Sequence, residues 1–254
     1  MKKEQIRFLE NVAADGFVGL EEIIYDGWEL RFTQGYTGRA NSVQIREEST
    51  IELPEKVYFC EKAYAEHGLP CMFKLTDADV ELITFLENRG YQKHKPTDVM
   101  LLALNSADTD FEMPDDVYFS TTPVDWFKPY FEFEDIADET KRDLTRKIHA
   151  RVSVEQIYIS VMYKKTVAAV ASLAIENGYS LLHNVVVSPE LRGIGLGRKL
   201  CQAAIMKSGE CGASHIYLQV MQNNPVALNL YKKLGFEKQY TYYYLKSESY
   251  GRKR

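Results

Sequence analysis

Residues 185–200 read VVVSPELRGIGLGRKL. Three valines close a strand, Ser188-Pro189 turns the chain, and a helix begins near Leu196, with Leu196, Leu200, Ala203 and Ala204 at i, i+4, i+7 and i+8. Glycine near a helix start costs up to about 1 kcal/mol relative to alanine, so Gly193, Gly195 and Gly197 need a reason. A Walker loop would require Gly-Lys where the chain has Arg198. A dinucleotide fingerprint would require its third glycine at the same position, and its strand should belong to a parallel βαβ unit rather than to a meander. What fits is an arginine and alternating glycines at a helix N-terminus, where unsatisfied amides and the positive end of the dipole face outward and bare backbone admits a phosphate. The other use of such a stretch is a tight strand-to-helix turn, for which one glycine would serve.

The flanking sequence supplies the fold. Upstream, Glu139–Val152 has a helical pattern, followed by the β-rich runs QIYISVMY, TVAAVASLAI and YSLLHNVVV, joined at Lys164-Lys165 and Asn177-Gly178. Three strands on two short turns predict an antiparallel meander. Downstream, the helix closes at Gly209 and Gly212, and HIYLQVM reads as a strand. Asn224 caps a further helix with Pro225 in its first position and Gly235 just past its end. Ala227, Leu230, Tyr231 and Leu234 form its apolar face, and the tyrosine-rich KQYTYYYLK is the final strand. The expected class is α/β of the α+β kind, with a mixed, mostly antiparallel sheet flanked by helices.

An offset of 145 residues sets Gly90 on Gly235, Phe73 and Leu75 on Leu218 and Val220, and Phe85 on Leu230. That coincidence fits either a duplicated unit or two unrelated strand–helix units. The polar, acidic stretch NSADTDFEMPDD, residues 105–116, is the linker candidate. It divides the chain into 1–110 and 111–254. At the same offset, the loop Arg192–Gly197 falls on Glu47–Glu52, with three carboxylates and no glycine, and Tyr231 falls on Leu86.

The 254 residues carry a net charge of −5, which argues against nucleic acid as the main partner. Residues 1–112 hold 12 Lys and Arg against 21 Asp and Glu, and the remainder 19 against 15. An anionic ligand is therefore favoured by the second half and a cationic or amine acceptor by the first. Cys60, Cys71, Cys201 and Cys211 lie in apolar stretches without CxxC spacing, so they read as buried free thiols, and the five histidines have no metal spacing. The opening residues lack a signal-peptide core, and no window approaches the ~20 apolar residues of a membrane span. The expectation is a soluble cytoplasmic protein with no membrane contact.

Arg192-Gly193-Ile194-Gly195-Leu196-Gly197 resembles the pyrophosphate loop of the GNAT superfamily of N-acetyltransferases, Arg/Gln-x-x-Gly-x-Gly/Ala. NPVALNLYKKLGF, residues 224–236, is similar to that superfamily's second signature, Asn-x-x-Ala-x-x-Leu-Tyr followed by Gly-Phe. Both motifs have the family's order and separation. GWELRFTQGYTGRANSV, near the start, is similar to the N-terminal half of some tandem members. The resemblance implies an acyl-CoA N-acyltransferase fold, duplicated, with a degenerate first half over 1–110 and a GNAT domain over 111–254. It also implies acetyl-CoA as cosubstrate without a metal, and direct attack by a small-molecule or peptide amine.

By the same resemblance, the backbone amides of Val185, Val186 and Val187 bind the pantetheine arm and polarise the thioester carbonyl. Arg192, Gly193, Ile194, Gly195, Leu196, Gly197 and Arg198 cradle the pyrophosphate, Asn224 contacts CoA, and Tyr231 protonates the leaving sulfur. Some members carry a glutamate where this chain has Leu181. His183 is then one candidate base, expected on the same strand face as Leu181, Val185 and Val187; a water chain to the first half is the other. The first half is expected not to bind CoA and to serve the acceptor side. A different class of function on the same fold is a non-catalytic acyl-CoA-binding or regulatory module.

Overall fold

The computed structural model describes residues 1–104 and 113–247, so residues 105–112 of the linker candidate lie outside the described residues. In chain order the elements are α1 (Lys3–Asp15), β1 (Glu21–Tyr25), β2 (Trp28–Phe32), β3 (Val43–Ile45), α2 (Leu53–Glu66), β4 (Met72–Thr76), α3 (Val80–Asn88), β5 (Tyr91–Ala103), β6 (Val117–Ser120), α4 (Phe127–Phe133), α5 (Glu139–Arg151), β7 (Glu155–Tyr163), β8 (Thr166–Glu176), β9 (Tyr179–Val187), α6 (Leu196–Glu210), β10 (His215–Met221), α7 (Pro225–Lys233) and β11 (Glu237–Ser247). They form two compact units: Met1–Asp98 with Lys147–Arg151 and Gln239–Arg254, and Val99–Arg146 with Val152–Lys238.

In the second unit, the strand order is β10-β9-β8-β7-β6. The meander β7-β8-β9 is antiparallel as the turns predict. Lys164-Lys165 and Asn177-Gly178 hold φ of 49° and 68°, and of 51° and 77°, the left-handed pairs whose twist suits two-residue hairpins. The other edge of β9 pairs in parallel with β10, Tyr179–Leu182 against His215–Leu218. β9, α6 and β10 are therefore a βαβ unit. This corrects the expectation that the strand before the loop belongs to a meander instead: an inner strand has two edges, and each has taken a different kind of partner. The dinucleotide reading fails on glycine spacing alone. Helix α6 buries Leu196, Leu200, Ala203 and Ala204 in one cluster with Ala169, Ala171 and Leu173 of β8, the apolar face read from its periodicity.

In the first unit, the order β1-β2-β3-β4-β11 includes a second parallel pair, β3 with β4, connected through α2. Trp28, Leu30, Phe32, Val43, Phe73, Leu75 and Leu245 pack against Val57, Cys60 and Tyr64 of α2 and Leu82 and Leu86 of α3. The opposite side is polar yet buried. Arg31, 1% exposed, donates from Nε to Glu29 Oε1 at 2.9 Å and from Nη2 to the Ala14 carbonyl at 3.0 Å. Burial pushes the Glu29 carboxyl up from its ordinary range, while Arg31 and Arg46 pull it back. Glu10 accepts from both Lys74 Nζ and the Tyr240 hydroxyl.

The order β3-α2-β4-α3-β5 repeats β9-α6-β10-α7-β11. The 145-residue offset carries Val80–Asn88 onto Pro225–Lys233 and the cap Asp79 onto Asn224. It ceases to hold in the loop before α2, where Arg46–Glu52 stands in place of Ser188–Gly195.

Replacing Arg31 by methionine leaves the buried Glu29 carboxylate with Arg46 as its remaining ion-pair partner, at 3.4 Å, and removes the donor to the Ala14 carbonyl. Chemical denaturation is expected to show a loss of about 3–5 kcal/mol; a loss below 1 kcal/mol would mean that the pair is not the unit's buried anchor.

Candidate functional site

The site is built on an interruption of β9. Val170 of β8 is opposite Val186, but the next register pair is Ser172 with His183, so Asn184 and Val185 together face Ala171. Asn184 adopts φ of 56°, and the strand carries a β-bulge. On the other edge, the ladder to β10 ends at Leu182 and Leu218. Past that point β9 and β10 part and form a notch. The Ser188 N–H donates to the Ala168 carbonyl at 2.9 Å, so alternation turns the Val186 N–H towards β8 and the Val187 N–H towards the notch.

The bulge also shifts the phase of the side chains. Leu182, Val185 and Val187 lie in the α6 cluster, whereas Val186 packs with Trp126, Tyr158 and Val170 on the other face. His183 is paired across the ladder with Ser172, which is itself opposite Tyr158, so it shares that second face. The expectation that His183 faces the same side as Val185 and Val187 does not hold, because the extra residue breaks a strict alternation. His183 is 6% exposed. Asn184 Nδ2 lies 3.0 Å from Ser172 Oγ and 3.4 Å from His183 Nδ1.

From β9, one short turn at Pro189–Leu191 leads to the glycine loop. Gly193 and Gly195 have φ of 84° and 92°, which a side chain would strain, and a Cβ on either would meet nothing within 4 Å. Gly195 caps α6. The first amide with a helical acceptor is that of Lys199, on the Gly195 carbonyl at 3.1 Å. The Leu196, Gly197 and Arg198 amides thus precede the hydrogen-bonded ladder. Gly197 has ordinary backbone, but a Cβ there would lie 3.5 Å from Val187 Cγ2 and 3.6 Å from Leu230 Cδ2, where β9, α6 and α7 converge. Arg192 and Arg198 are exposed at either end of the loop, with Arg192 Nε 3.4 Å from the Val187 carbonyl. Arg198 also lines a cavity of about 250 Å³ with Gln202, Met206 and Lys233. Lys199 is turned away, paired with Asp116 at 2.8 Å.

Asn224 Oδ1 accepts from the Ala227 amide at 3.1 Å, the predicted cap. Tyr231, 7% exposed, sits edge-on to Phe236 in the α6 cluster. Burial, with Cys201 nearby, pushes its phenol well above the ordinary tyrosine range. Tyr231 and Val187 therefore share one face of the sheet, and His183 lies on the other. Cys60, Cys71 and Cys201 are buried free thiols as expected, while Cys211 is only half-buried. Sequence reasoning missed Asn184, Ser172 and Trp126. An asparagine inside the β-branched run HNVVV was the available signal, since asparagine tolerates left-handed backbone.

The corresponding loop of the first unit is differently filled. The carboxylate of Asp26 accepts from the Thr50 amide at 3.0 Å, the Ile51 amide at 2.9 Å and Lys56 Nζ at 3.0 Å. Asp26 is held well below the ordinary carboxylate range, first by the Ile51 amide and then by Thr50 and Lys56. Arg7 of α1 spans the end of β3 and the α3 cap, donating to the Ile45 carbonyl at 2.6 Å and to Asp79 Oδ1 at 2.8 Å. Amides here already hold an internal anion.

Among the described residues, no group of three or more His, Cys, Asp or Glu could hold a metal ion, and no helix is long and apolar enough to cross a membrane. A family model described as "Probable histone acetyltransferase Rv0428c C-terminal" matches residues 3–245. The chain is 26% identical over 239 residues to "Uncharacterized N-acetyltransferase YobR" of Bacillus subtilis, covering 92% of this chain and 95% of that protein. A GCN5-related N-acetyltransferase from Kribbella flavida has a similar fold, with a TM-score of 0.69, 15% identity and coverage of 96% and 95% of the two chains. So has a tandem GNAT protein from the clavulanic acid biosynthesis pathway, with a TM-score of 0.64, 15% identity and coverage of 81% and 74%.

Gly195→Ala should lose about 1–2 kcal/mol by forcing a left-handed alanine, whereas Gly197→Ala should keep or slightly raise the melting temperature; equal losses would contradict the backbone assignment. Asp26→Asn should lower the melting temperature at neutral pH. Because the folded-state pKa of Asp26 is depressed, that gap should shrink as pH falls below about 4, and a gap unchanged at pH 2.5 would refute it.

Proposed function

The chain is an acetyltransferase of the GNAT superfamily and belongs to the family whose model spans residues 3–245, and on that premise we propose that its second unit transfers an acetyl group from acetyl-CoA to a primary amine by direct attack. One observation carries this reading. Amides of Leu196, Gly197 and Arg198 precede the α6 ladder beside open space at Gly193 and Gly195, flanked by Arg192 and Arg198. Such a cradle suits a pyrophosphate. The cavity at Arg198 and Lys233 gives the nucleotide end of the donor a basic, partly apolar resting place.

From that anchor, the pantetheine arm runs into the notch between β9 and β10. The Val187 N–H, with Val185 beside it, is our donor to the thioester oxygen. Gly197 leaves the passage between Val187 and Leu230 clear. The amine attacks the carbonyl carbon from the His183 face, and the thiolate departs on the Tyr231 face, where the phenol supplies its proton. His183, grouped with Ser172 and Asn184, is our candidate for taking the ammonium proton. Direct attack goes with the burial of Cys60, Cys71 and Cys201 in apolar clusters, and with Cys211 standing at the opposite end of α6 from the glycine loop. We assign residues 111–254 to the transferase domain and 1–110 to a degenerate half that carries Asp26 where a donor phosphate would bind. The acceptor is a small-molecule or peptide amine, and the soluble cytoplasmic setting of the sequence reading goes with it.

Free-thiol release from acetyl-CoA should rise above hydrolysis only when an amine is added, across a panel of polyamines, aminoglycosides and lysine-containing peptides; no stimulation by any of them would sink the reading. Tyr231→Phe should lower kcat by about 10- to 100-fold, the low end for acid–base catalysis, with KM for acetyl-CoA little changed. The wild-type rate should climb from pH 6 to 9 as the amine loses its proton. It should not fall near pH 10, where an ordinary tyrosine ionises at about 10, because burial keeps Tyr231 protonated.

A further inference from the structure

The geometry points to Trp126 as the residue that holds the β9 bulge in its working shape, a positioning role that rests on the acetyl-transfer reading and extends it. Trp126 immediately precedes α4 and is 2% exposed. Its indole Nε1–H donates to the Ala171 carbonyl at 2.9 Å. Ala171 is the β8 residue that faces both Asn184 and Val185. The side chain thus reaches the sheet at the one place where two residues of β9 compete for one of β8.

Its ring is fixed on several sides. Tyr130 stacks on it with centroids 4.6 Å apart and planes 15° from parallel, and Tyr158 of β7 lies against it at 5.3 Å. Val170 and Val186, the register pair directly beyond the bulge, belong to the same cluster. A rotation or slip of Asn184–Val185 would therefore have to displace a wedged indole and break its hydrogen bond. The residue that benefits is Val187, whose amide faces the notch only while the bulge keeps the phase of the strand. Donors that act on a developing oxyanion lose their effect with small displacements. Trp126 touches neither donor nor acceptor in this scheme and acts through β9.

The test separates hydrogen bond from packing. Trp126→Phe keeps a ring and removes the N–H. It should lower kcat about 10-fold or more, by analogy with misplaced oxyanion donors, while KM for acetyl-CoA stays within about threefold because α6 and its loop are untouched. Amide hydrogen exchange should quicken in peptides covering 182–188 and remain unchanged in those covering 198–208. Trp126→Ala should add a fall in melting temperature that the phenylalanine variant shows only weakly. An unchanged kcat in an active wild-type background would overturn the assignment, as would unchanged exchange at 182–188. If the wild type transfers acetyl to no amine, the acetyl-transfer reading fails instead, and hydrogen exchange alone decides whether Trp126 holds the bulge.

Discussion

A strand can satisfy both edges only while its register is continuous, and β9 gives up that continuity at Asn184. Before the bulge it is an ordinary inner strand, antiparallel to β8 and parallel to β10. After it the β8 edge remains paired, while the β10 edge is left with amides that have no strand to receive them. Losing part of a ladder is costly inside a protein, because backbone donors need acceptors. The second unit tolerates the loss at the mouth of the notch, where an extended polar ligand could restore the missing bonds. Gly197 of the loop lies beside it, where a Cβ would meet Val187 of β9 and Leu230 of α7.

The two units show two solutions to one electrostatic problem. A helix entered from a parallel strand presents amides and a positive dipole end, and an anion there is favourable. In the second unit, left-handed glycines and exposed arginines leave the place open to a mobile anion. In the first, the Asp26 carboxylate takes the Thr50 and Ile51 amides just ahead of the α2 cap Glu52, together with Lys56 of the first turn, and Arg7 ties the end of β3 to the cap of α3. That loop carries carboxylates rather than glycines at positions 47, 48 and 52. The same strand–helix order thus carries two different loops ahead of its first helix.

What could be read in advance was what local chemistry determines. Asn224-Pro225 with Gly235 announced a helix with both its ends, and Lys164-Lys165 and Asn177-Gly178 announced the hairpins, because caps and turns are settled within a few residues. Glycine spacing marked the left-handed entry to α6 for the same reason. Asn184 in HNVVV hinted at left-handed backbone but did not announce a bulge: that depends on how two strands count against each other, and the run alone does not say that two residues will face Ala171. That single uncounted residue put His183 on the wrong side in the alternating pattern. The second, parallel edge of β9 was hidden for a related reason, since a strand's sequence does not declare both of its neighbours. Trp126 carried no local signal either, as its partner lies 45 positions along the chain.

The burial of the cysteines has a practical side. Cys60, Cys71 and Cys201 lie out of reach of bulky reagents, whereas Cys211, directly after α6, is partly accessible. The helix has 15 residues, so at 1.5 Å per residue its far end stands about 22 Å from the glycine loop. A fluorophore attached to the native chain at Cys211 would thus sit at the C-terminal cap of α6, at the far end of the helix from the glycine loop. The molecule already contains its own attachment point for following the order of α6, with no engineered cysteine.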